Sequence, residues 1–134
     1  MIVVDTNIIA YLYLNNERSE QAEQLLEKDS EWAAPLLWRS ELRNVLALYI
    51  RKEIFSLKVA QLVMEEAGSI MKGREYDVAS FQVLKLAAAS RCSAYDCEFV
   101  ALAQEMKKTL VTVDKQILKE FPNIAVSLAV VVGQ

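Results

Sequence analysis

A chain of 134 residues that is 54% hydrophobic and 25% charged carries enough apolar surface for one packed core and too much for a disordered tail. It contains no histidine, which excludes Ser-His and Cys-His nucleophile pairs, the commonest general base and most catalytic zinc sites. The net charge of −3 provides no overall basic field for nucleic acid, and three glycines with two prolines leave little sequence for linkers, so residues 1–134 are read as a single domain.

Ile2–Asp5 is a β-branched run suited to a buried strand, and an apolar helix is expected from Thr6 to about Leu14. Glu17–Lys28 has helical spacing through Ala22, Leu25 and Leu26, and Trp32–Ala34 is a short strand candidate. Pro35 is expected to open a helix that runs to about Lys52, with Leu42, Val45, Leu46 and Tyr49 as its apolar stripe. Ser56 caps the next helix, which carries Val59, Leu62 and Val63 towards Met71. Tyr76–Val78 is a weak strand, Ser80–Arg91 a helix around Val83, Leu84 and Ala87, and Ser93 the cap of a further helix through Phe99, Val100, Leu102, Ala103 and Met106. Thr109–Val113 is the clearest later strand, Lys115–Glu120 a short helix, and Ile124–Val132 one or two closing strands. Cys92 and Cys97, five apart, fit neither a redox pair nor half of a zinc site and are read as small apolar residues near the core. No apolar run is long enough to span a membrane and no basic leader opens the chain, so a cytoplasmic location is expected.

Strands alternating with helices imply an α/β protein: a three-layer α/β/α sandwich on a central parallel sheet, with its ligand site beyond the carboxyl ends of the strands. Asp5 and Asp114 each end a strand, Asp96 lies in the first turn of its helix, and Glu41 borders an apolar stripe. Each has an ordinary use, since aspartates at strand ends cap the following helix, Ser93 with Asp96 fits a capping box, and Glu41 suits a solvated helix face. Gathered at one sheet edge, four carboxylates would repel one another and raise each other's pKa, and a hard cation such as Mg²⁺ or Mn²⁺ relieves that repulsion with oxygen ligands alone.

Val3-Val4-Asp5-Thr6-Asn7-Ile8-Ile9 resembles the opening of the PIN-domain nucleases. The stretch Pro35–Leu46 around Glu41, Ser93–Asp96 with Phe99–Ala103, and Leu110–Asp114 resemble the family's second, third and fourth acidic motifs. The resemblance covers nearly the whole chain, in order, and its size is that of the VapC-type toxins of prokaryotic toxin–antitoxin pairs. It implies a metal-dependent endoribonuclease that breaks an RNA phosphodiester by in-line attack of water, leaving a 5′-phosphate and a 3′-hydroxyl. Asp5 and Asp96 are then the first direct ligands for Mg²⁺ or Mn²⁺, Glu41 binds metal or orients the water, and Asp114 completes the cluster, directly or through a ligand. Thr6, Asn7 and Thr112 support these groups, and Arg39, Arg43 and Lys115 are the candidates for RNA phosphates. An antitoxin partner and a homodimer are implied by the same resemblance, with Tyr11, Leu12, Tyr13 and Trp38 available either as partner surface or as core. Three alternatives stand beside this reading: a non-catalytic RNA- or protein-binding module on the same fold, a housekeeping RNA-processing nuclease, and a receiver- or phosphatase-like domain with strand-end aspartates.

Overall fold

The structure, a computed structural model, describes residues 1–133. Five strands form one parallel sheet: β1 (Ile2–Val4), β2 (Trp32–Pro35), β3 (Glu75–Tyr76), β4 (Leu110–Thr112) and β5 (Ala125–Ser127), in the order β3-β2-β1-β4-β5. Helices α1 (Thr6–Tyr11) and α2 (Ser19–Lys28) link β1 to β2, and α3 (Leu37–Arg51) and α4 (Leu57–Met71) link β2 to β3. The return to β4 runs through α5 (Ser80–Ala88) and α6 (Ala94–Met106), α7 (Lys115–Glu120) joins β4 to β5, and α8 (Leu128–Val132) follows β5.

Strand order and connection handedness together set the layers. The chain moves outward from β1 to β3, then crosses back to β4 and β5, so right-handed crossovers put α1–α4 on one face of the sheet and α5–α7 on the other. The α8 helix packs against α2, β4 and β5, which completes the first layer. Covered on both faces, the strands need no polar side, and Val3, Val4, Ala33, Ala34, Leu110 and Val111 are all buried. The direction of travel reverses between β1 and β4, and a crevice opens where adjacent connections leave for opposite faces. No helix among the described residues is long and apolar enough to cross a membrane.

Several expectations change. Pro35 ends β2 instead of opening a helix: the Ala34 N–H donates to Arg74 O just before β3 and the Leu36 N–H to Tyr76 O in it, so the missing N–H of Pro35 points towards β1, whose pairing with β2 ends at Ala33. The closing segment is one strand and a helix, because the Ser127 hydroxyl accepts from the Val130 N–H and caps Leu128–Val132 as a helix despite its three valines. The early helix stops at Tyr11, α5 stops at Ala88, and β3 takes Glu75–Tyr76 instead of Tyr76–Val78. On α4 the inward face is Ala60, Val63, Ala67 and Met71, while Val59 and Leu62 lie outside; Leu84 on α5 is exposed as well. Tyr11 and Trp38 are core, with Leu12 and Tyr13 half-buried against it, so these four side chains do not form a free partner surface. Cys92 and Cys97 are buried free thiols, as expected.

The two-residue β3 is too short to hold its place through ladder bonds alone, and Glu75 anchors it. Its carboxylate accepts from the indole N–H of the fully buried Trp38 at 2.8 Å and from two guanidinium nitrogens of Arg39, one of them at 2.7 Å. The Arg39 hydrogen bond holds the Glu75 carboxyl below its usual range. Solvent reaches Arg39 and weakens the ion pair, so most of the stabilisation comes from satisfying Trp38. Glu75→Ala is expected to cost about 1–3 kcal/mol and to speed hydrogen exchange at the Ala34 and Leu36 amides, which donate to Arg74 and Tyr76 on either side of Glu75. Glu75→Gln, which keeps an acceptor for Trp38, should cost clearly less in the same urea titration; equal costs would show that the ion pair, not the indole bond, holds the strand.

Candidate active site

The crevice between β1 and β4 is framed by two aspartates joined through one hydroxyl. Asp5 extends β1, its N–H donating to Val111 O at 3.3 Å. Its Oδ1 accepts from the Ile8 N–H at 3.2 Å, capping α1, and its Oδ2 accepts from the Thr112 hydroxyl. The same Thr112 oxygen accepts from the Asp114 N–H at 3.0 Å, and Asp114 Oδ1 caps α7 by accepting from the Ile117 N–H at 2.9 Å. Capping therefore aims both carboxylates at the crevice, because a cap must sit at the strand end with its oxygen turned to the helix. Thr112 is fully buried, so its hydroxyl has little freedom to reorient.

From α3 comes Glu41, whose Oε1 accepts from the Thr6 hydroxyl at 2.6 Å; from the first turn of α6 comes Asp96, whose N–H is capped by the Ser93 hydroxyl at 3.0 Å. All four acids line one cavity of about 250 Å³, together with Thr6 and Asn7. Sequence reasoning missed four further lining residues, Asn44, Val45, Phe99 and Ile117. Three of them lie three residues beyond an acid (Glu41, Asp96 and Asp114), so helical spacing alone would have pointed to them. The cations lie elsewhere. Arg39 is engaged by Glu75, Arg43 borders a separate groove between α3 and α4, and Lys115 is exposed beside Asp114 without lining the cavity.

Burial among Val45, Phe99 and Ile117 strengthens charge repulsion in the cavity. Asp5 is pushed up to about 6, chiefly by burial and further by Asp114, against the Thr112 and Ile8 hydrogen bonds that favour its charged form. Burial raises Glu41, with Asp96 adding to it and Thr6 opposing; burial also raises Asp96, with Asp114 adding. The couplings run from Glu41 through Asp96 and Asp114 to Asp5, one continuous field of negative charge. Glu98, raised by burial and by Glu41 and Asp77, extends it along α6. Oxygen donors without nitrogen, sulfur or an internal cation fit a hard divalent ion. Among the described residues no three of the His, Cys, Asp and Glu side chains stand close enough together to hold a metal ion as they are placed.

The Asp5 shift has a stability consequence in protein freed of metal. Its pKa is higher folded than the ordinary 3.8, so ionisation destabilises the fold: the penalty is absent well below pH 4, grows towards pH 6 and is constant above, on the order of 3 kcal/mol. Asn keeps the cap to Ile8 and turns an amide towards Thr112. In EDTA, Asp5→Asn is expected to be more stable than the parent at pH 7 by roughly 1–3 kcal/mol. The gain should shrink as pH falls towards 4, read by urea unfolding; a variant less stable at pH 7 would show that the hydrogen bonds to the carboxylate outweigh its desolvation.

The fold agrees with the comparisons to known proteins. The PIN domain family model matches residues 2–124. Ribonuclease VapC3 of Pyrobaculum aerophilum is 34% identical over 126 residues, which cover 90% of this chain and 95% of that protein. Among solved structures, PAE2754 from Pyrobaculum aerophilum superposes with a TM-score of 0.78 at 18% identity, covering 98% of this chain and 93% of that one. A toxin–antitoxin complex from Klebsiella pneumoniae gives 0.72 at 19% identity over 96% and 98% of the two chains. The structural likenesses speak for the fold; the family match and the sequence identity, both spanning nearly the whole chain, establish that this protein belongs to the PIN-domain family.

Proposed function

We propose that this chain is a Mg²⁺- or Mn²⁺-dependent endoribonuclease and the toxin of a toxin–antitoxin pair. The observation that carries the proposal is the convergence of Asp5, Glu41, Asp96 and Asp114 on one cavity that no internal cation neutralises. The 34% identity to a ribonuclease named VapC3 supports RNA as the substrate, and fold neighbours solved as toxin–antitoxin complexes support an antitoxin partner. A bound divalent ion supplies the charge that lowers the pKa of a water and offsets negative charge on the phosphate.

The chain's own residues do the positioning. Asp5 and Asp96 would hold the ion, with Glu41 and Asp114 completing the acidic set. Thr112 and Thr6 donate to Asp5 and Glu41, which fixes those carboxylates where they line the cavity. Val45, Phe99 and Ile117 give the cavity a dry side where charge acts strongly. Outside it, Lys115 and Arg43 are the exposed cations for RNA phosphates; Arg39 would first have to leave Glu75. Retention of all four acids argues against a non-catalytic module. A homodimer is part of the same proposal.

With structured RNA and Mn²⁺, Asp5→Asn and Asp96→Asn are expected to lower kcat/KM by roughly a thousandfold or more, and Thr112→Val, which removes only a supporting hydroxyl, by roughly 10–100-fold. Excess EDTA should abolish cleavage; cleavage that persists in EDTA, or survives both aspartate substitutions, would mean the reaction does not run through this cluster. The toxin reading is checked by growth: induced expression of the parent chain should arrest a bacterial culture, and Asp96→Asn should not. A harmless parent chain that still cleaves RNA would point to housekeeping processing.

A further inference from the structure

The acidic cavity leaves a chemical problem for any phosphodiester that enters it. Beyond the reach of the metal, the non-bridging phosphate oxygens carry negative charge and need hydrogen-bond donors. The lining offers few: Thr6 has committed its hydroxyl proton to Glu41, the fully buried Thr112, outside the lining, has given its own to Asp5, and no Lys or Arg borders the cavity. The side-chain N–H donors that remain on its lining are the carboxamides of Asn7 and Asn44. Both residues are exposed, and among the described residues neither carboxamide has a hydrogen-bond partner. Asn7 follows the Asp5–Thr6 pair on α1, and Asn44 stands one turn beyond Glu41 on α3, so the two amides reach the cavity from different helices.

From this placement we infer that Asn44, assisted by Asn7, is a substrate-binding residue whose amide donates to a non-bridging oxygen of the scissile phosphate. The inference rests on the nuclease reading above and names a contact for that site. An amide suits the position for a physical reason. A lysine or arginine at residue 44 would fold onto the nearby carboxylates and compete with the metal for them, whereas a neutral amide donates without occupying the ion's place. An aspartate there would enlarge the acidic field and repel the phosphate. Asn44 has no buried face to satisfy and caps no helix, so its removal has no folding consequence to confuse the result.

The test uses the full chain, a structured stem-loop RNA and Mn²⁺. Asn44→Leu, similar in size but without a donor, is expected to lower kcat/KM by roughly 10–100-fold, the range for a hydrogen bond to a charged group. Its melting temperature should stay unchanged, and so should its Mn²⁺ affinity, measured by calorimetry without RNA. Asn44→Gln, which keeps the amide, should recover part of the loss; Asn44→Asp should lose activity while binding Mn²⁺ at least as tightly as the parent. Parent-like cleavage by Asn44→Leu would overturn the inference. A fall in Mn²⁺ affinity matching the loss of activity would also overturn it, by making Asn44 a metal ligand, as would a lowered melting temperature, by making its role structural. The parent chain is the control for the reading beneath: if it binds Mn²⁺ and cleaves no RNA, the nuclease proposal falls and takes this contact with it. If the parent cleaves and the Asn44 variants match it, only the contact is wrong.

Discussion

A single buried hydroxyl, that of Thr112, ties the two central strand ends together. It donates to Asp5 at the end of β1 and accepts from the backbone of Asp114 after β4, so the crevice where the sheet changes direction has a fixed width at its acidic rim. The rest of the site is arranged around that bridge. Asp5 and Asp114 turn their other contacts to the N-termini of α1 and α7, and Glu41 and Asp96 approach from α3 and α6 to close the hollow. Because parallel strands here need helical covers on both faces, four helices start or pass near the same edge, and α1, α3, α6 and α7 all contribute side chains to the hollow.

Capping and catalysis are often weighed as competing explanations for a strand-end aspartate. In this fold the cap does not compete with a place at the cavity, since Asp5 and Asp114 cap their helices and line it at once. The oxygen that caps the helix orients the carboxylate, and the charge left over is what a cation would find. The cost appears as repulsion and desolvation: Asp5 is pushed up to about 6 and Glu41 and Asp96 are raised with it. A fold selected for stability alone would not gather these groups without a counter-charge, so the unfavourable electrostatics are themselves an argument for a divalent ion.

The separation of charges gives the site its direction. Acids and neutral amides face the cavity, whereas the nearby cations are tied to structure or stand outside it. Arg39 secures Glu75 and with it the short edge strand β3; Arg43 and Lys115 remain at the surface.

The pattern of residues alone determined the fold class, the order of its elements up to the closing helix and the four acids that line the cavity, because strands buried on both faces are written as apolar runs, Asp5 and Asp114 follow strands, Asp96 opens a helix and Glu41 borders an apolar stripe. It placed Ser56 and Ser93 as caps for the same reason, the signal being local. The parts that failed depend on partners distant in sequence. Pro35 could remain in β2 only because β1 had already ended beside it, and Leu128–Val132 became a helix although its β-branched residues suggested strand. The outward turn of Val59, Leu62 and Leu84 was hidden because an apolar stripe does not say which of its edges meets the sheet. Only the tertiary structure brought Thr112 to Asp5, 107 residues apart, and Thr6 to Glu41; it also spent Arg39 on Glu75 and put Asn44 at the cavity wall. The sequence thus named the acids that line the cavity, while the donors and the dry wall around them depended on packing between elements that no local pattern encodes.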